Sequence, residues 1–370
     1  MLASLSQDAA GEAMVQPLAI SETSPPARDW PIAAWLLLCC AMIFAMVVLG
    51  GVTRLTHAGL SMVEWRPLMG VLPPLSETQW QTVFAKYQQH PEYQQLNDAM
   101  TLMEFKSIFW MEYAHRMWGR AIALTFLVPF VYFLIRGRLA GTLKAKLIVI
   151  FVLGGLQGLL GWYLVQSGLA DDPDVSPYRL TGHLGAAFLI YGYTLWVALG
   201  LIFPAREGGV SAAHRPLRRF AAGFTGLVFI TVLSGGFVAG LDAGLAYNTF
   251  PLMDGRLIPA DVLELEPRNF FENIATVQFD HRVLALAAAL AVVAFWVRAR
   301  SAALAPRARF AVHALLAATA VQLSLGIWTL LLIVPVPLAA AHQAGALILF
   351  TAALWVTHEL GAARTPAVKR

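Results

Sequence analysis

Residues 50–60 read Gly50-Gly51-Val52-Thr53-Arg54-Leu55-Thr56-His57-Ala58-Gly59-Leu60, and residues 235–245 repeat the pattern as Gly235-Gly236-Phe237-Val238-Ala239-Gly240-Leu241-Asp242-Ala243-Gly244-Leu245. Both copies then reach a Pro-Leu-Met stretch, Pro67-Leu68-Met69 and Pro251-Leu252-Met253. Working outward in order, His115-Arg116 pairs with His281-Arg282, Gln157 and Gly161 with Gln322 and Gly326, and His183 with His342. These matches fall on polar, glycine and proline positions, so shared apolar composition does not produce them. The chain reads as two related halves.

Hydrophobic residues make up 58% of the 370 and charged residues 13%, against roughly 25% charged in a soluble domain. So few charges cannot coat a soluble fold of this size, and much of the surface is expected to face lipid. A span needs about 20 apolar residues, and eight stretches qualify: about 31–50, 110–135, 146–166, 181–203, 217–239, 277–297, 308–333 and 337–357. The last two are separated by Val334-Pro335-Val336-Pro337, where a tight turn is expected. The two cysteines, Cys39 and Cys40, are adjacent within an apolar run, which excludes a structural disulfide or a zinc site.

Loop charge alternates. Arg136, Arg138, Lys144 and Lys146 follow the second span; Arg206, Arg215, Arg218 and Arg219 follow the fourth, with Glu207 the one acid. Arg298, Arg300, Arg307 and Arg309 follow the sixth, and the tail ends Lys369-Arg370. Asp171, Asp172 and Asp174 lie between spans three and four, and Asp254, Asp261, Glu264, Glu266 and Glu272 between five and six. Basic loops stay cytoplasmic, so both termini are expected inside and the long loops at about 51–109 and 240–276 outside. An even number of spans per half gives a parallel repeat about a pseudo-two-fold axis along the membrane normal. The expected organisation is an all-α integral membrane protein of eight helices in two four-helix bundles. A tail at 1–28 precedes the N-terminal half, 29–205. A cytoplasmic linker over 206–220 runs into the C-terminal half, 217–360, and a tail covers 361–370. The first 28 residues have Arg28 as their one basic residue, which fits neither a secretory signal nor a transit peptide.

Nine histidines occur. His57, His90, His214, His313 and His358 fall in loops or at inner span ends, where solvated or interfacial roles are expected. His115, His183, His281 and His342 lie on the even-numbered spans, roughly 15–20 residues before their inner ends. At ~1.5 Å per residue that is about 22–30 Å, near the outer boundary of the hydrocarbon. Ionisable groups there are expensive and usually functional. Two imidazoles facing each other in each half suit the two axial positions of a heme iron. Arg116 and Arg282 are candidates for heme propionates, or for interfacial snorkelling. The halves differ at one place: Glu112 lies a helical turn before His115, where the C-terminal half has Gln278 before His281. A carboxylate there can accept a proton or stabilise a developing cation. An amide cannot take up a proton. The N-terminal half therefore reads as the reactive one, and the C-terminal half as a fixed cofactor site.

Taken together, Gly50 to Thr56, Glu112-Tyr113-Ala114-His115-Arg116, Gly182-His183, Phe279-Asp280-His281-Arg282 and His342-Gln343 resemble the heme A synthase family, over most of the chain. The resemblance implies oxidation of the C8 methyl of heme O to the formyl group of heme A, for terminal oxidase assembly. It implies that His115 and His183 address the substrate heme O, that His281 and His342 ligate a resident heme b, and that Glu112 is the catalytic carboxylate. It leaves open successive hydroxylations through a geminal diol or a carbocation trapped by water. One branch of the family carries cysteine pairs in its outer loops; this chain has none there and resembles the cysteine-free branch of many proteobacteria and mitochondria. The setting implied is the bacterial inner membrane. The partners implied are a heme O synthase and an electron-transfer partner, with self-association and without nucleic acid. The competing readings are a di-heme quinol or ferric reductase and a transporter of heme or another amphiphile.

Overall fold

The computed structural model describes residues 29–64, 71–169, 175–204, 214–259, 262 and 266–362. The tail at 1–28, Pro67-Leu68-Met69, the acids Asp171, Asp172, Asp174, Asp261 and Glu264, the linker residues Arg206 and Glu207, and Lys369-Arg370 lie outside the described residues. In chain order the helices are α1 (Trp30–Leu55), α2 (Glu77–Tyr87), α3 (Pro91–Leu96), α4 (Leu102–Ile135), α5 (Gly141–Gly168), α6 (Pro177–Ile202), α7 (Arg215–Gly240), α8 (Asn269–Glu272), α9 (Ile274–Arg300), α10 (Pro306–Leu331) and α11 (Val336–Ala362). Among the described residues eight of them, α1, α4, α5, α6, α7, α9, α10 and α11, are long and apolar enough to cross a bilayer.

The helices outrun the apolar stretches that announced them. α4 starts at Leu102 rather than near 110, because Thr101 caps it: the Glu104 carboxylate accepts from the Thr101 backbone N–H at 2.8 Å, and the Thr101 hydroxyl accepts from the Glu104 N–H. Hydropathy does not register the polar turns through Glu104, Lys106 and Ser107. α1 likewise continues through Gly50-Gly51 to Leu55, so most of the motif expected in a loop is helical. Between α10 and α11 the chain turns over residues 332–335, with Ile333 and Val334 at positive φ.

α6 is the most enclosed helix, and α5 turns most of its surface outward through residues such as Val152 and Leu159. The main core joins α1, α6, α7, α9, α10 and α11. Lipid tails are as apolar as leucine, so close packing and interhelical hydrogen bonds hold such helices together rather than exclusion from water. Tyr191 on α6 and Thr351 on α11 share a hydrogen bond of 2.7 Å, and Phe188 packs against Phe350 at 5.6 Å. Gln343 on α11 donates to the Val47 carbonyl of α1 at 2.9 Å. α2 and α3 form a small cap over the start of α4. The Ser76–Gln79 capping box begins α2, and Trp80 and Tyr87 bury with Phe105 and Phe109 of α4.

Two expectations about histidines are corrected. His214 and His358, placed at solvated inner positions, are buried. His358 packs edge-on to Trp196 of α6 at 5.2 Å, beside the Arg307–Glu359 ion pair of 2.7 Å. Helices converge where the sequence suggested only an interfacial end.

Candidate functional site

α4, α6, α9 and α11 place His115, His183, His281 and His342 on the wall of one cavity of about 1150 Å³. That exceeds the roughly 300–1,000 Å³ usual for a small-molecule site. A glycine on the preceding long helix seats each ring. A methyl at Gly50 of α1 would lie 3.0 Å from His115 Cε1, at Gly161 of α5 3.1 Å from His183, at Gly235 of α7 3.2 Å from His281, and at Gly326 of α10 2.8 Å from His342. A side chain at any of these positions would press on the imidazole, and at Gly326 the ring would have to shift.

The His281 and His342 rings have centroids 6.5 Å apart and are nearly perpendicular, at 86°. A metal held between two imidazole nitrogens by bonds of about 2.0–2.1 Å sets the centroids roughly 6.4 Å apart. The gap therefore fits an axial pair. Ser234 lies 2.8 Å from His281 Nδ1 and Gln322 Nε2 lies 3.1 Å from His342 Nδ1. Partners of this kind orient a ligating imidazole and leave its other nitrogen for the metal. Among the described residues no group of three or more His, Cys, Asp or Glu is arranged around a bare metal ion.

The N-terminal pair is seated alike but held differently. Nδ1 of His115 and of His183 has no hydrogen-bond partner among the described residues. Gln157, aligned with Gln322, donates instead to the His183 carbonyl at 3.0 Å and reaches His183 Nε2 only at 3.5 Å. Leu49 stands where the other half has Ser234. Buried nitrogens without partners are costly, and the N-terminal rings lack the support that Ser234 and Gln322 give the other pair.

Glu112, 3% exposed, is gripped by four donors: Ser61 Oγ at 2.7 Å, the Met62 N–H at 2.7 Å, and Arg116 through Nε at 2.9 Å and Nη2 at 2.5 Å. Arg116 also donates to the Met62 carbonyl at 2.8 Å. The other half builds the same frame without the charge. Arg282 donates to Gln278 Oε1 at 3.1 Å and to the Tyr247 carbonyl at 2.6 Å, while Gln278 donates to the Ala243 carbonyl at 2.7 Å. Both arginines line the cavity, yet their guanidinium groups also tie the loop after the Gly-Gly motif to the helix carrying the histidine. Arg54 bridges the halves at this end, donating to Asp242 at 2.8 Å and to the Ala239 carbonyl at 2.9 Å.

Sequence reasoning had singled out Glu112, the four histidines and both arginines, and all line this cavity. It missed Ser61, Ser234 and Glu92. Ser234 directly precedes the Gly-Gly pair, a signal that was present; Ser61 and Glu92 lie in the long first loop, where no periodicity marks them.

Residues 33–354 match the COX15-CtaA family model, described as cytochrome oxidase assembly protein. The chain is 58% identical to the heme A synthase of Nitrosospira multiformis over 89% of this chain and 93% of that protein. It is 55% identical to the heme A synthase of Nitrosomonas eutropha over 89% and 94%, and 48% identical to heme A synthase COX15 of Bos taurus over 90% and 83%.

Proposed function

The chain belongs to the COX15-CtaA family of cytochrome oxidase assembly proteins, and from that premise we propose that it is a heme A synthase, oxidising the C8 methyl of heme O to a formyl group. The observation that carries this reading is the inequality of two otherwise matching frames. One presents a buried carboxylate beside its histidines, Glu112; the other presents the amide of Gln278. That difference, together with the family membership, favours an enzyme over an electron carrier or a transporter.

His115 and His183 would hold the substrate heme O between α4 and α6. With no hydrogen bond behind either ring at Nδ1, this pair would grip its ligand less firmly than the other, which suits a substrate that must arrive and leave. His281 and His342 would hold heme b, their rings oriented by Ser234 and Gln322. Heme b bound there supplies one-electron redox chemistry at a fixed place. Glu112, held by Ser61, Met62 and Arg116, would set a fixed carboxylate beside the substrate; such preorganised electrostatics is commonly the largest contribution to catalysis. The apolar cavity wall would take the prenyl chain of heme O, delivered sideways from lipid. The Gly-Gly loops and the cap would face the outer side of a bacterial inner membrane, with both termini cytoplasmic and the two halves related as parallel repeats.

The deciding experiment expresses the chain with and without a source of heme O and measures extracted hemes B, O and A. Heme A is expected only when heme O is supplied. With Glu112→Gln, its yield should fall by about 10²-fold or more while heme B stays bound. Normal heme A from the Glu112→Gln protein would remove that carboxylate's role, and no heme A from the parent chain would remove the function.

A further inference from the structure

Glu92, on α3 of the cap, is 4% exposed and lines the same cavity as Glu112 and Arg116. Its Oε2 has no hydrogen-bond partner among the described residues. Tyr87 of α2 hydrogen-bonds the carboxyl group, and Glu112 of α4 is close enough to act on it electrostatically. His57, in the turn after α1, lines the cavity as well. Among the described residues no lysine, arginine or histidine lies within ion-pair distance of Glu92. Glu112 is the opposite case. Its four donors occupy both oxygens, and taking up a proton would break a buried pair with Arg116.

We propose that Glu92 is the proton acceptor of the N-terminal site, while Glu112 remains its fixed negative charge. This rests on the heme A synthase reading above. The proton comes from the water or hydroxyl oxygen that reacts at the porphyrin methyl. That O–H bond breaks as Glu92 Oε2–H forms, and its electron pair stays on the oxygen that bonds to the methyl carbon. The C–H bond broken at that carbon releases a proton and two electrons, the electrons passing to the electron-accepting partner of the heme O oxidation, and the Glu92 proton leaves later on the cap side. Burial, opposed by the Tyr87 hydrogen bond and reinforced by the charge of Glu112, pushes the Glu92 carboxyl up to about 7. A base with that affinity takes and releases protons near neutral pH, where general-base catalysis is most efficient. Two carboxylates set in unlike surroundings take on unlike tasks.

The test compares the parent chain with Glu92→Gln and Glu92→Asp, each full length and loaded with heme. Glutamine still accepts from Tyr87, so the cap should keep its packing. Heme A formation is followed against pH, and the protonated-carboxyl infrared band is titrated on the same samples without substrate turnover. In the parent, the rate should rise as pH passes about 7 and the band should vanish over the same range. Glu92→Gln should lose both the pH limb and the band, slow by roughly 100-fold, and keep its resident heme; Glu92→Asp should recover part of the rate and a displaced limb. A Glu92→Gln protein with the parent's rate and pH profile overturns the proposal. So does loss of bound heme in both variants, which would make Glu92 a packing residue of the cap. If the parent makes no heme A while the band still titrates through Glu92, the function fails, and Glu92's part in it fails with it.

Discussion

His342 is positioned from two directions: Gln322 meets its Nδ1, and Gly326 leaves room for its Cε1 edge. A methyl at Gly326 would sit 2.8 Å from that carbon, closer than real side-chain contacts allow, and the ring is the part free to move. Gly326→Ala should therefore turn the imidazole out of line and lower b-type heme per protein in reduced-minus-oxidised spectra. Gly154→Ala on α5 meets nothing within 4 Å and should keep the parental heme content. The same logic separates Ser234 from Leu49. Removing a hydrogen bond behind a metal ligand commonly costs about 10–100-fold in affinity, and the N-terminal pair never had one. The sequence marked Gly161 and Gly326 as matched positions without a reason. The reason is steric, and it lies in a ring on the neighbouring helix.

Among the helices, α7 of one half meets the start of α6 of the other backbone to backbone. Gly236 and Gly240 sit one turn apart on α7. A methyl at Gly240 would lie 2.7 Å from Pro177 Cα, and one at Gly236 3.1 Å from Thr181 Cα. Backbone cannot step aside as a side-chain tip can. Gly240→Ala is expected to force the helices apart, at a cost of about 1–3 kcal/mol, seen as a lower unfolding midpoint in detergent. Gly223→Ala, which meets nothing within 4 Å on the same helix, should leave the midpoint unchanged. The eight long helices were legible because each needs a run of apolar residues to meet lipid. Their ends were not, since a helix continues through polar residues when a cap such as Thr101 holds its first turn. α2 and α3 were invisible for a related reason: both are short, α2 held by aromatic contacts with α4 and α3 by Tyr93 against Phe84 and Tyr87 of α2, which local periodicity does not encode.

Across the molecule, one cavity is lined by two histidine pairs, and if they hold the different hemes proposed above, their removal should give different pigments. His342→Ala should lose the resident b-type heme and heme A formation together. His183→Ala should keep the resident heme and its reduced spectrum while making no heme A. Equal loss of resident heme in both variants would show that the pairs do not hold separate groups. Arg54, reaching Asp242 and Ala239, and Gln343, reaching Val47, join the halves around that cavity.

Residue order alone was enough for the number of apolar helices, the pairing of like positions along the chain, the four histidines that line the cavity and the contrast between Glu112 and Gln278. Each of these is a property of residue type and spacing along the chain. Packing was needed to learn that Ser61, Met62 and Arg116 saturate Glu112, that Ser234 and Gln322 steady only the second pair, and that Glu92 reaches the same cavity from the cap. Those facts depend on groups far apart in the chain meeting at hydrogen-bond distance, and no local pattern of hydropathy or charge carries that information.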